Sequence, residues 1–120
     1  VPGEGKTTTS VNLALTMAKA GNRVVLIDTD MRKPLLHKIF KLHNSVGLSS
    51  YLAGNVEKSI LRKSSLDKLV VIPAGPCPPN PYDLLNSNRM KSLLQNLAIL
   101  FWFPNLVLNQ FYLYALKLRK

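Results

Sequence analysis

Acidic residues are scarce in this chain. Six Asp and Glu stand against sixteen Lys and Arg, leaving a formal charge of +10, and no carboxylate follows Asp83. Such a balance favours phosphate-bearing partners: nucleotides, nucleic acid or an anionic membrane face. The cations are scattered, with only short clusters such as Arg32-Lys33 and Arg62-Lys63, so no nucleic-acid partner is expected. A missing or altered acidic segment would give the same imbalance. Cysteine is scarcer still. Cys77 is the one thiol, which excludes an internal disulfide framework and fits a reducing compartment. Two histidines, His37 and His43, have no neighbouring Cys or further His to complete a metal site; they are expected at the surface or in loops, and Cys77 is expected to be inert. The opening residues lack the basic-then-apolar pattern of a signal peptide, and neither internal repeats nor low-complexity stretches occur.

What is present is an apolar content of 47% in 120 residues, enough for one modest core. In TTTSVNLALTMAKAG, from Thr7, the residues Val11, Ala14, Leu15 and Ala18 recur at helical spacing, and Gly21-Asn22 ends the helix. RVVLIDTD follows as a short apolar run, the pattern of a strand buried on both faces of a parallel sheet. Pro34 opens LLHKIFKL as a short helix, and GLSSYLAG is a second short piece closed by Gly54. LDKLVVIPAG reads as another buried strand. After it, Asn80-Pro81 supplies a cap and first helical residue, and Ser87 caps NRMKSLLQNLA. This alternation predicts an α/β fold, a parallel sheet with flanking helices.

The chemistry is concentrated in two places. VPGEGKTT carries the second half of a phosphate loop, G-x-x-x-x-G-K-[ST], whose first glycine would fall one residue before Val1. Glycines let backbone N–H groups converge on phosphate oxygens. Lys6 brings a cation to the β and γ phosphates, the Thr7 hydroxyl can ligate Mg²⁺, and the helix starting here points its positive end at the anion. Glu4 lies inside the loop, its side chain toward solvent. The second place is Asp28-Thr29-Asp30 at the end of the first buried strand, where α/β folds gather ligands. Residues i and i+2 share one face of a strand, so both carboxylates could approach one Mg²⁺–phosphate centre. The alternative is a strand-end turn whose Asp residues cap the next segment.

PGEGKTT, VVLIDTDMRKPLLHKIFKLHNSVGLSSYLAG and VVIPAGPCPPNPYDLLNS together resemble the cytoplasmic domain of bacterial tyrosine kinases of capsular and exopolysaccharide biosynthesis, over roughly residues 1–97. The D-x-D-x-R-x-P and P-A-G-P-x-P-P-N-P-x-x-L-L runs are more specific than the GKT. Partition and septum-placement ATPases share GKTT and the strand-borne Asp, but they usually have lysine where Val1 stands and lack the Pro-Pro-Asn-Pro loop.

The resemblance implies a P-loop NTPase-like fold in which Gly3, Glu4, Gly5, Lys6, Thr7 and Thr8 bind ATP, with Thr8 near the α phosphate. It implies Thr7, Asp28 and Asp30 on Mg²⁺ and its waters, Lys6 with Asp28 and Asp30 as the catalytic set, and Asp28 accepting the tyrosine proton. Arg32 matches the motif's basic residue without an assigned role. The 74–81 loop is expected to shape the site. Further implied are a membrane polysaccharide co-polymerase or activator partner, homo-oligomers, protein tyrosine substrates, and a cytoplasmic location at the inner face of the plasma membrane.

The chain also departs from the family. AILFWFPNL occupies the place of an acidic strand followed by Thr/Ser-Pro-Pro that completes the Mg²⁺ site, and it contains no acid. Tyr112 and Tyr114 lie in an apolar context unlike the family's polar tyrosine tail, and are read as coincidental. The expectation is a partial kinase domain over 1–97, incomplete at both ends, with a divergent apolar and basic tail over 98–120, as a reading-frame change would produce. Kinase activity of the chain alone is expected to be weak or absent. The stretch 97–116 is long enough to span a membrane, but Pro104, Asn105, Asn109 and Gln110 near its centre favour a buried strand or an ill-fitting tail, in which Phe101, Trp102 and Phe103 would form an aromatic patch. Two other readings stay open: a partition-type regulatory ATPase and a non-catalytic membrane-associated remnant. Tyr51 and Tyr82 are expected to be packing residues.

Overall fold

The computed structural model describes residues 2–55 and 59–100, with side chains described for 9–55 and 59–97. The expectations for the aromatic patch, Tyr112 and Tyr114 fall beyond residue 100 and lie outside the described residues, as does the membrane-span alternative apart from its first residues, 97–100.

Among the described residues eight elements follow one another: α1 (Pro2–Lys19), β1 (Val24–Ile27), α2 (Leu36–Ile39), α3 (Leu48–Leu52), β2 (Arg62–Lys63), β3 (Leu69–Ile72), α4 (Pro81–Leu85) and α5 (Asn88–Leu100). The three strands form one sheet in the order β1-β3-β2. β1 and β3 are parallel, pairing Val24 with Leu69 through Ile27 with Ile72. The expected parallel sheet has an addition: β2 pairs antiparallel with β3. Two residues of Arg and Lys carry no period-2 pattern, so nothing in the sequence marked this strand.

Period 2 explains the core. Val24 and Leu26 of β1, with Leu69 and Val71 of β3, face one side and pack with Val11, Ala14 and Ala18 of α1 and with Leu36. Val25, Ile27 and Ile72 face the other side, against Leu48 and Leu52 of α3 and Met90, Leu93 and Leu97 of α5. Both faces of β1 are therefore covered, as its continuous apolar run predicts.

The elements start and stop as local chemistry dictates, with some revisions. Helix α1 closes beyond Lys19 with Asn22 donating its backbone N–H to the Met17 carbonyl at 3.1 Å. Ser87 receives the Met90 N–H on its Oγ at 3.2 Å and caps α5. Asn80 precedes α4 with Pro81 at its first position, but the Asn80 side chain makes no capping bond. The helix expected over LLHKIFKL is confined to Leu36–Ile39, because Lys41 turns into the left-handed region at φ 56° and breaks it. Tyr51 packs half-buried against the core, under the Arg89 guanidinium at 4.6 Å from its ring centre. Tyr82 corrects its expectation. It points outward from α4 at 63% exposure, since Pro81 takes the inward position. His37 is a second correction: it is half-buried and its Nδ1 is buried without a hydrogen-bond partner.

Candidate functional site

The parallel pair places the segments after β1 and after β3 together, because Ile27 and Ile72 are register partners at the carboxyl ends of their strands. Asp28 continues that edge by donating its backbone N–H to the Ile72 carbonyl at 3.0 Å. The turn at Ala20–Arg23 reverses the chain between α1 and β1, and both pack in one core layer. Helix α1 therefore runs antiparallel to β1, and its N-terminal turn lies toward the edge that bears Asp28. The phosphate-loop residues and the acidic pair, 20 to 27 positions apart in sequence, thus belong to the same end of the molecule.

The backbone of Gly3–Thr8 departs from the expected loop. Helix α1 begins at Pro2 rather than Thr7. Proline is pre-organised for a first helical position and loses no hydrogen bond there, and helical bonds between near neighbours form without help from distant contacts. The first backbone N–H groups of such a helix have no intrahelical acceptor, so Gly3 and Glu4 still present donors at the positive end of an 18-residue helix, whereas the Gly5 N–H enters the helical ladder.

The acidic pair also revises its geometry. β1 ends at Ile27, so Asp28 and Asp30 sit in a turn and the strand rule for i and i+2 does not place them. Asp28 is 2% exposed. Its Oδ1 accepts the Asp30 N–H at 3.0 Å, and its Oδ2 accepts the N–H groups of Leu35 at 2.9 Å and Leu36 at 3.1 Å. The capping alternative is thus realised, since Asp28 holds the start of α2. Burial pushes the Asp28 carboxyl above the ordinary aspartate range. The three backbone donors pull it back, and the nearby Asp30 charge adds to the rise. Asp30, partly exposed, takes the Lys33 N–H on its Oδ1 at 3.0 Å. Arg32 and Lys33 are exposed beside it.

Asp28 Oδ1 and both Asp30 oxygens keep lone pairs free of the bonds described, four acceptor sites being available on each ionised carboxylate. Two hard oxygen donors match the way Mg²⁺ is held, by one or two carboxylates with waters and phosphate oxygens completing the shell. Among the described residues no group of three or more His, Cys, Asp or Glu gathers as a metal site.

The proline loop after β3 is tied down by residues that carried no assigned role in the sequence. Leu48 and Ser49 donate their backbone N–H groups to the carbonyls of Pro73 and Ala74, both at 2.8 Å. The Asn44 amide brackets Gly75, accepting its N–H at 2.8 Å and donating to its carbonyl at 3.0 Å. The Ser49 hydroxyl donates to the Pro76 carbonyl at 2.6 Å. The two side-chain pairs lie 27 and 31 residues apart, too far for any local pattern to link them. A cleft of about 260 Å³ opens between α3 and this loop, lined by residues including Ser49, Pro76, Cys77, Asn80 and Leu84. Neither carboxylate lines it, and Cys77 is exposed at its wall.

Residues 2–115 match the model of the CobQ/CobB/MinD/ParA nucleotide-binding domain. The chain belongs to this family. Within the range of that nucleotide-binding family, the curated relatives it resembles are kinases by name. It is 46% identical over 101 residues to the tyrosine-protein kinase YwqD of Bacillus subtilis, covering 77% of this chain and 39% of the relative. It is 40% identical over 100 residues to the tyrosine-protein kinase CpsD of Streptococcus agalactiae, covering 79% and 44%. Among solved structures, the kinase domain of the Escherichia coli tyrosine kinase ETK superposes with a TM-score of 0.77 at 36% identity, over 82% of this chain and 39% of that one. The chimerical protein CapA2B2 superposes at 0.79 with 32% identity, over 96% and 55%. The chain spans about two fifths of the length of these two curated relatives. Among the described residues no helix is long and apolar enough to cross a membrane.

Proposed function

We propose that this chain is the nucleotide-binding part of an ATP-dependent protein-tyrosine kinase that phosphorylates itself and regulates capsular or exopolysaccharide biosynthesis. The observation that carries the proposal is the buried Asp28 carboxylate, fixed by three backbone donors at the carboxyl edge toward which the N-terminus of α1 points. The tyrosine-kinase names of the relatives select phosphoryl transfer among the chemistries such an edge serves.

In this reading the Gly3–Gly5 turn, through the free amides of Gly3 and Glu4, and the Lys6 ammonium bind the ATP phosphates, Thr8 stands near the α phosphate, and Thr7, Asp28 and Asp30 hold Mg²⁺ with its waters. When bound, that ion offsets charge on the phosphoryl oxygens. Asp28 Oδ1, with one described hydrogen bond, takes the proton of the attacking tyrosine hydroxyl. Desolvation raises the basicity of this carboxylate toward the range useful for such a transfer, while the three donors keep its orientation. The rest of the contribution is positioning and electrostatic complementarity. An activating membrane protein, homo-oligomeric assembly and action at the inner membrane face belong to the same proposal, as does weak or absent kinase activity of residues 1–120 alone.

The test is titration of the full-length protein with ATP and Mg²⁺, followed by phosphotyrosine detection. Saturable uptake that is lost in Lys6→Ala, with phosphotyrosine formation lost in Asp28→Asn, supports the reading. Uptake indifferent to Lys6 overturns it. The MinD and ParA members of the family name favour one other outcome, a regulatory ATPase. Hydrolysis of ATP with no phosphotyrosine would identify it.

A further inference from the structure

Asp28 and the proline loop are joined by a continuous chain of contacts. The Asp28 carboxylate holds the first amides of α2. Leu36 and Phe40 anchor that helix in the core, and four residues after Phe40 Asn44 grips Gly75 from both sides. The contact is close. A Cβ on Gly47 would stand 2.4 Å from the Pro73 carbonyl oxygen and 2.6 Å from the Gly75 nitrogen. Gly75 itself lies at φ 82°, where a side chain is strained. The 44–49 segment and the 73–76 segment thus meet backbone to backbone, and one side-chain amide supplies both hydrogen bonds that a neighbouring strand residue would have supplied.

We infer that Asn44, assisted by Ser49, is a positioning residue of the nucleotide site: it holds the 73–80 loop in its binding-competent place at the sheet's carboxyl edge. This rests on the nucleotide-site reading given above. Neither residue touches the carboxylates by any bond described, so the effect is conformational. With the bracket cut, the loop samples other positions and must be ordered when the nucleotide arrives. The apparent dissociation constant rises as the competent fraction falls. Once the complex has formed the loop occupies its native place, so turnover at saturation changes less than affinity.

The experiment compares the full-length protein with Asn44→Ala and Ser49→Ala by titration with ATP and Mg²⁺, by initial rates of tyrosine phosphorylation, and by thermal melting. Asn44→Ala is expected to raise the Kd and KM for ATP about tenfold, with kcat within about threefold, corresponding to a competent fraction that falls from near one to about a tenth. Ser49→Ala, which removes one bond, moves in the same direction by a smaller factor. A folded Asn44→Ala whose Tm drops while Kd and KM stay at the wild-type value overturns the inference, because that is the signature of a purely architectural bond. If Asn44→Ala does not fold, Ser49→Ala decides on the same criterion. Failure of the wild type itself to bind ATP strikes the nucleotide-site reading instead, so the two failures are distinguishable.

Discussion

At Asp28 an architectural role meets a proposed chemical one. Its carboxylate follows β1, caps the start of α2 and belongs to the proposed Mg²⁺–phosphate centre. Because burial lifts its pKa in the folded protein above that in the unfolded chain, the native state holds the extra proton between the two values. The stability from that proton is complete below the unfolded value and is lost as pH rises through the folded one. In metal-free buffer, the wild type should therefore lose stability relative to Asp28→Asn as pH is raised through the acid range toward neutrality. Urea unfolding of both proteins at stepped pH measures this, and a difference that is flat or grows the other way contradicts it. Gly47 gives a second prediction at this scale. Gly47→Ala drives a methyl group into backbone rather than into a pliable side chain, and a destabilisation of roughly 3 kcal/mol is expected by denaturant unfolding.

Among the elements, helix ends were the most legible part of the sequence. Ser87 before an apolar-periodic segment announced α5, and its hydroxyl caps the Met90 N–H. Ser87→Ala should cost about 1 kcal/mol, seen as a lowered Tm with the fold retained. β1 and β3 were legible for a similar reason, since four apolar, mostly β-branched residues bounded by polar turns have few other uses. Three features were not. The two residues of β2 carry no pattern, α2 is cut short by a left-handed Lys41, and α1 extends back through the phosphate-loop residues. Each depends on competition between local helix formation and contacts made elsewhere, which a single segment does not encode. Tyr82 failed as a packing residue for the same reason: aromatic character says that burial is favourable, not that a partner surface is available.

Across the whole molecule, the charge of +10 makes a positive field that should draw an anionic nucleotide. Such a field is screened within about 10 Å at 0.1 M salt. The Kd for ATP with Mg²⁺ is therefore expected to rise about threefold or more between low and 0.5 M salt, measurable by titration in a salt series. An affinity independent of salt would place recognition in short-range contacts alone.

By itself the sequence determined the α/β alternation, the two-sided burial of the central strands, the phosphate-loop pattern of Gly3 through Thr8 and the presence of an acidic pair after a strand. These are local properties, readable from spacing and side-chain chemistry. Only the tertiary structure decided that Asp28 faces inward onto the amides of Leu35 and Leu36, that Asp30 turns away from strand geometry to accept Lys33, and that Asn44 and Ser49 hold a loop some thirty residues further along the chain. The Asp30–Lys33 bond is an exposed turn contact, whereas the Asp28 and Asn44 outcomes follow from unpaired donors and acceptors at a sheet edge closed off from water. Each must find a partner when water is excluded, and which partner is near enough is a matter of how distant segments pack.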